Sequence, residues 1–174
     1  ERHPGAITVF IGPCIAKKSE VIESFAQGNA DYALTFEELD AMLRAKEIEL
    51  YHIGACMQQG SLYGKKFAAS GGVTAAVQQV LDEMRVNADI KVARCDGAAE
   101  CKVSLLQMKA GKLPEDFIEG MACPGGCVNG PGNLLSELES RKNRTILWNR
   151  AEPRTILGNI APYNKSRTFS LHKK

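Results

Sequence analysis

Short apolar runs that stop abruptly at glycine, proline or cysteine set the main constraint on how this chain can fold. Ile7 to Ile11 is such a run, rich in β-branched residues and closed by Gly12-Pro13. It reads as a buried strand that delivers Cys14 to the loop at its carboxyl end. Asp31 to Thr35 reads as a second strand, followed by a helix from Phe36 to Glu47 with Leu39, Met42 and Leu43 on one face. Ser70-Gly71-Gly72 opens another helix, with Val73, Val77, Val80, Leu81 and Met84 at helical spacing and Ser70 placed to cap it. Ile90 to Ala93 leads into Arg94-Cys95-Asp96-Gly97 as a third strand and turn, and Ala98 to Ala110 reads as a helix ended by Gly111. Phe117 to Met121 is a fourth strand-like run that ends two residues before Cys123. Leu134 to Arg141 suggests one more helix, while residues 145–174 read as an irregular polar tail with a basic end that wraps the domain. Alternating strands and helices predict an α/β fold, with a roughly four-stranded, mostly parallel sheet flanked by helices.

With 174 residues, 44% of them hydrophobic and 24% charged, the chain has the composition of a folded domain with a sizeable core. Its formal charge of +2 comes from 22 basic and 20 acidic residues scattered in both signs. No basic stripe of the kind that neutralises phosphates is present, so nucleic acid is a poor expectation as partner. The longest apolar run is far too short to span a bilayer, and no apolar signal core follows a basic amino-terminal segment. A cytoplasmic location is expected. The opening Glu1-Arg-His-Pro enters a strand almost at once and carries no initiator methionine, which predicts further chain upstream.

Six cysteines are too few for a small disulfide scaffold, and in a reducing compartment they point to metal or reactivity. Cys123 and Cys127 are separated by Pro-Gly-Gly, with Gly130 and Gly132 beyond. A loop of this kind places thiolates beside several unhindered backbone amides, which suits an anionic iron-sulfur cluster. The spacing alone is equally compatible with a disulfide, or with two buried thiols beside a glycine turn. Cys14 has Lys17, Lys18 and Glu20 within the next two helical turns, a setting that biases a thiol toward thiolate and that is also an ordinary solvated helix start. Cys95 and Cys101 flank a turn and a helix start, and Cys56 lies in Gly54-Ala-Cys-Met. A zinc site or second cluster there lacks a fourth ligand, and small buried residues are the preferred reading. His3, His52 and His172 fall in no ligand pattern, and Ser70-Gly71-Gly72 lacks the lysine of a phosphate loop.

Taken together, the cysteine segments resemble the iron-only (FeFe) hydrogenases. Pro13-Cys14-Ile-Ala-Lys17-Lys-Ser-Glu20 matches the family pattern P-C-x-x-K-x-x-E, and Glu119-Gly-Met121-Ala-Cys123-Pro-Gly-Gly126-Cys127 matches E-x-M-A-C-x-x-G-C. Between them, Phe67-Ala-Ala-Ser70-Gly-Gly-Val73 is similar to the family's pocket segment, so the likeness runs in order from about Ile7 to Gly130. The family's first cysteine motif, which carries another ligand and a proton-relay cysteine, has no match and is expected upstream of Glu1. Two departures, Gly12 where the family often has Met and Gly130-Pro131-Gly132 where it has three glycines, suggest a divergent branch.

The resemblance implies an H-cluster, a 4Fe-4S cubane held by four cysteines and joined through one of them to a two-iron unit carrying CO, cyanide and an azadithiolate. By motif position Cys14, Cys123 and Cys127 are three of the four ligands, with Cys127 bridging. Lys17 would donate to an iron-bound cyanide, Phe67, Val73 and Met121 would line the two-iron pocket, Pro13 would fix the loop of Cys14, and Glu20 matches a motif glutamate that is a candidate for proton traffic. The implied reaction is reversible H2 oxidation and proton reduction, in which dihydrogen is split heterolytically, the cofactor amine takes the proton and the cubane passes single electrons. Partners implied are H2 and protons, a missing amino-terminal lobe, and an electron carrier such as ferredoxin or an amino-terminal iron-sulfur domain. Residues 1–144 would then form the carboxy-terminal lobe of a two-lobed H-cluster domain, inactive and open to being metal-free by itself, with 145–174 as its tail. Two other readings are an iron-sulfur sensing or assembly relative without the two-iron unit, and a metal-free interaction domain.

Overall fold

The computed structural model describes residues 5–23, 30–50, 61–151 and 154–164. Cys56 and the three histidines lie outside them. The chain divides into two compact units, one made of Glu1–Gly54 with Gly130–Ser136 and the other of Ala55–Asn129 with Glu137–Lys174.

In the first unit, strand β1 (Val9–Ile11) runs parallel to β2 (Tyr32–Leu34), with Val9 opposite Tyr32 and Ile11 opposite Leu34. Helix α1 (Ala16–Ile22) lies between the two strands in the chain. The pairing is pinned at its start by Asp31, whose Oδ2 accepts the Thr8 N–H at 2.7 Å and the Thr8 hydroxyl at 2.8 Å. Beyond its far end, the Gly12 N–H donates to the Leu34 carbonyl at 3.1 Å. Helix α2 (Phe36–Ala45) starts with a capping box: the Glu38 N–H donates to Thr35 Oγ1 at 3.2 Å, and the Thr35 N–H donates to Glu38 Oε2 at 2.9 Å.

The second unit contains helices α3 (Leu62–Lys66) and α4 (Gly72–Glu83), then strand β3 (Val92–Asp96), helix α5 (Ala98–Lys109) and strand β4 (Phe117–Met121). β3 and β4 are parallel, with Val92 opposite Phe117 and Asp96 opposite Met121, so β3, α5 and β4 form a βαβ crossover. A 3₁₀ turn at Cys127–Asn129 follows. Helices α6 (Glu137–Asn149) and α7 (Ile156–Asn164) end the unit. α7 is held to the end of α4 by Glu83, whose carboxylate accepts the N–H groups of Ile156 at 2.9 Å and Leu157 at 2.8 Å. The Trp148 indole N–H on α6 donates to the Lys65 carbonyl at 3.3 Å.

The α/β class and the parallel sense of the strands are as expected. Among the described residues, however, the four strands form two separate two-stranded sheets rather than one. The stretch read as an irregular tail instead carries the end of α6 and all of α7. The expected large core is also absent from the described residues, where the buried apolar residues are Ala69, Cys95 and Met121. Val9 and Ile11 of β1 stay 45% and 44% exposed, although parallel sheets are ordinarily covered on both faces. Helix α5 leaves Val103, Leu105, Leu106 and Met108 each more than half exposed.

Candidate functional site

In the first unit, Gly12-Pro13 turns the chain out of β1 and into the Cys14 loop. A side chain at Gly12 would meet the Phe10 ring, since an added Cβ comes to 2.9 Å from two of its carbons. The Pro13 carbonyl accepts the Gly132 N–H at 3.0 Å. A Cβ on Gly130 would lie 2.4 Å from that carbonyl oxygen, and one on Gly132 would lie 2.6 Å from Thr35 Cβ. The Gly130-Pro131-Gly132 segment thus packs directly on the loop that carries Cys14, and it keeps glycine at the two positions where its backbone has no room for a side chain.

Lys17 Nζ is 2.5 Å from Glu20 Oε2, with the two side chains 37% and 38% exposed, and its ammonium lies 5.9 Å from the centroid of the Phe10 ring. A pair that exposed contributes at most about 1 kcal/mol to stability, so its interest lies in where it holds the ammonium. Lys18 turns the other way, to Glu38 Oε1 at 2.7 Å and the Ala33 carbonyl at 3.4 Å.

In the second unit, the Phe67–Val73 segment and the Cys123–Cys127 loop are brought together. Gly126 lies against this strap so closely that a Cβ there would fall 2.5 Å from the Ala68 carbonyl oxygen and 2.5 Å from the Ser70 nitrogen. Hydrogen bonds fix the contact, the Ser70 N–H donating to the Gly125 carbonyl at 3.2 Å and the Val128 N–H to the Ala68 carbonyl at 3.1 Å. Phe67 is half exposed at the end of α3, and Val73 sits in the first turn of α4. Met121 is buried beneath the loop with its Sδ 3.8 Å from Cys127 Sγ, while Cys127 itself is exposed. Cys14, Cys123 and Cys127 hold thiols in this structure, not disulfides.

The expected array of unhindered amides is corrected by the structure. The Gly125 N–H donates to Asp96 Oδ1 at 2.7 Å, and the Gly126 N–H donates to the Cys123 carbonyl at 2.9 Å. The N–H groups of Val128, Asn129 and Gly132 are engaged with Ala68, Gly126 and Pro13. The glycines here serve close packing and the turn, with φ of +77° at Gly125 and +100° at Gly126, and their amides face protein acceptors.

Ser70 is not the cap of α4. The cap position is Gly71, and the acceptor is Glu119 from the middle of β4. Its carboxylate, in a residue 4% exposed, takes the N–H groups of Gly71 at 2.9 Å, Val73 at 3.3 Å and Thr74 at 3.0 Å, together with the Thr74 hydroxyl. A buried carboxylate at a helix amino terminus is favoured both by the unpaired N–H groups there and by the helix dipole. The sequence signal for this role is an acid in the middle of the apolar strand Phe117-Ile-Glu-Gly-Met121.

Cys95, 2% exposed, donates to Ser104 Oγ at 3.0 Å, and Cys101 Sγ lies 4.0 Å from the Cys95 carbonyl oxygen. Burial, and then the neighbouring Cys95, push the Cys101 thiol above the usual range. Both therefore read as structural thiols. Among the described residues no three His, Cys, Asp or Glu side chains are gathered as a metal-binding group. Cys14 belongs to one unit and Cys123 and Cys127 to the other.

Comparison with known proteins bears on these two motifs together. Residues 2–131 match the family model described as iron only hydrogenase large subunit, C-terminal domain. This chain belongs to that family. Among its relatives, the periplasmic Fe hydrogenase large subunit of Nitratidesulfovibrio vulgaris is 34% identical over 161 residues, covering 72% of this chain and 38% of the relative. Iron hydrogenase 1 of Clostridium pasteurianum is 28% identical over 187 aligned residues, covering 83% and 33%. A probable cytosolic Fe-S cluster assembly factor of Brugia malayi is 25% identical over 166 residues, covering 75% and 37%. This hydrogenase-family chain therefore spans little more than a third of the curated relatives it matches. A solved structure, described for stepwise FeFe-hydrogenase H-cluster assembly in HydA, superposes with a TM-score of 0.60 over 92% of this chain and 58% of that one at 20% identity, which shows a shared fold. No helix among the described residues is long and apolar enough to cross a membrane.

Proposed function

We propose that this chain is the part of an iron-only hydrogenase that supplies Cys14, Cys123 and Cys127 to a 4Fe-4S cluster, with Cys127 also facing a two-iron unit. The observation that carries the reading is the docking of the Phe67–Val73 strap on the Cys123–Cys127 loop, fixed by the Ser70–Gly125 and Val128–Ala68 main-chain hydrogen bonds. Soft thiolate donors suit iron-sulfur clusters, so the donor set fits the group. When bound, that group supplies the reversible cleavage of H2 and the transfer of single electrons.

The chain's own residues have distinct parts in this reading. Cys123 and Cys127 hold iron from a loop that Gly126 locks onto Ala68. Met121 supplies an apolar, polarisable floor beside Cys127, and Phe67 and Val73, at the two ends of the strap on which that loop packs, would line the two-iron pocket. Lys17 presents a compact cation to an anionic ligand, with Glu20 as the carboxylate that orients it and a candidate proton acceptor. Pro13 fixes the Cys14 loop, with the Gly130–Gly132 segment bound to its carbonyl. A fourth cysteine, the remaining lobe and an electron carrier such as ferredoxin come from polypeptide beyond this sequence. The exposed Val9, Ile11 and α5 residues support a further layer of protein over these faces. A cytoplasmic location is proposed.

The test is anaerobic reconstitution with iron and sulfide, and infrared spectroscopy of the maturated protein. Iron binding that falls in each of Cys14→Ala, Cys123→Ala and Cys127→Ala, together with CO and cyanide bands, is the expected result. Iron binding indifferent to all three substitutions sinks the ligand assignment. The Brugia malayi relative, aligned over as much of this chain as the Nitratidesulfovibrio one, favours a second reading, an iron-sulfur assembly relative with the cubane alone. An intact cubane with no CO or cyanide band selects it.

A further inference from the structure

The turn after β3 grips the Cys123–Cys127 loop from one side. Asp96 Oδ1 accepts the Gly125 N–H at 2.7 Å, and the Gly97 N–H donates to the Met121 carbonyl at 2.7 Å. Asp96 is itself set by Glu100, whose Oε2 accepts the Asp96 N–H at 2.8 Å from the first turn of α5. Gly97 packs under the loop, where an added Cβ would lie 3.8 Å from Pro124 Cγ. Two consecutive residues of one strand end thus hold the loop on both sides of Cys123, at Met121 and at Gly125.

Gly125 is the residue whose amide Asp96 decides. Flanked by Pro124 and Gly126 and at φ +77°, its amide has the Asp96 carboxylate as acceptor, while the other end of the same peptide plane, the Pro124 carbonyl, accepts Asn129 Nδ2 at 3.2 Å. With the carboxylate in place the N–H points to Asp96. Without it, the N–H is available to any anion held by Cys123 and Cys127. We propose that Asp96 is a positioning residue for the cysteine loop: it fixes the loop and withholds the Gly125 amide from the cluster, which keeps the cluster harder to reduce. The proposal rests on the reading that Cys123 and Cys127 are iron ligands. Hydrogen bonds to cluster sulfur and nearby charge both set the potential of such centres, and Asp96 acts on each.

The variants Asp96→Ala and Asp96→Asn separate the two effects, because asparagine keeps an acceptor for Gly125 and loses the charge. The first measurement is amide exchange at Gly125 in the metal-free chain. Wild type and D96N are expected to protect this amide, and D96A is expected to exchange it at least about tenfold faster, while amides in α4 stay unchanged. The second is the midpoint potential of the reconstituted cluster, expected to rise in D96N and to rise further in D96A, where an amide is also released. Equal Gly125 exchange in all three proteins overturns the anchoring, and equal potentials overturn the tuning. If the full-length protein, with its fourth cysteine, takes up no iron, the cysteine-ligand reading falls with it, while the exchange experiment still decides whether Asp96 positions the loop.

Discussion

The Glu119 carboxylate accepts the main-chain N–H of Thr74, 45 residues earlier in the chain, at 3.0 Å and also binds its hydroxyl. Thr74 is 1% exposed and Glu119 4%, so this contact is sealed from water. It ties β4, which leads to Cys123 and Cys127, to the amino terminus of α4, which follows the strap beneath those cysteines. The glutamate of the E-x-M-A-C motif is thus a structural clasp.

Glu119→Gln is therefore expected to destabilise the protein by about 2–4 kcal/mol, because charge-assisted bonds are lost and an amide NH2 is turned toward buried N–H groups. For a chain of this length that lowers Tm by roughly 5–15 °C, as read by circular dichroism. Thr74→Val, which removes the hydroxyl alone, is expected to cost about 1–2 kcal/mol. Melting of Glu119→Gln within 2 °C or so of wild type contradicts the clasp.

Two glycines give opposite tests of packing and backbone conformation. A Cβ at Gly72 would sit 1.9 Å from the Lys66 carbonyl oxygen, so Gly72→Ala must displace the end of α3, at a cost of about 3 kcal/mol or more. Gly111, with φ +66° just after α5, has nothing within 4 Å of an added Cβ. Gly111→Ala meets only backbone strain, about 1 kcal/mol. Urea unfolding of both variants should preserve that order, and a reversal would refute the close approach at Gly72.

Acid should loosen the first unit. The Thr8 N–H and hydroxyl hold the Asp31 carboxyl below its ordinary range, and the Lys18 ammonium and then the Thr35 N–H do the same for Glu38. A folded-state pKa below the unfolded value means that the unfolded chain binds protons first. The stabilisation is complete above the ordinary carboxylate range, near about pH 4, and is lost as pH falls toward the depressed values. Urea midpoints followed from roughly pH 6 to pH 3 should fall, and Asp31→Asn and Glu38→Gln should flatten that fall. An acid limb equally steep in both variants rejects these groups as its source.

Thiol labelling should rank the cysteines of the second unit. Alkylation proceeds through the thiolate, so the raised pKa of Cys101 slows it, and Cys95 is shielded outright. Cys127, exposed on the loop, should react with iodoacetamide before either, with the order read by mass spectrometry of timed digests. Labelling of Cys95 ahead of Cys127 would be incompatible with the described packing.

Much of the secondary structure was legible in the chain, because its causes are local. The runs at Ile7 to Ile11 and Phe117 to Met121 carry β-rich composition ended by turn residues, and strands form within both. Thr35 and Glu38 stand three residues apart before an apolar stripe, and a capping box forms there. The α5 helix ends one residue from the predicted position, with Gly111 in the left-handed conformation that such ends favour. The helix over Ile156–Asn164 was not legible because Gly158 and Pro162, both unfavourable inside helices, fall within its nine residues.

The candidate site divides along the same line. The sequence by itself determined which residues carry the chemistry, because cysteine, lysine and glycine at fixed spacings within one loop are local facts, and it placed both cysteine motifs at the ends of strands. Only the tertiary structure decided what those loops rest on: that Gly126 seats against Ala68, that Gly132 binds the Pro13 carbonyl, and that Glu119 and not Ser70 closes α4. It also decided that, among the described residues, the four parallel strands pair as two twos. Each of these is a contact between segments distant in the chain. Such contacts are selected by steric fit and by the need to pair buried N–H groups, and neither is written in the spacing of residues along a single run.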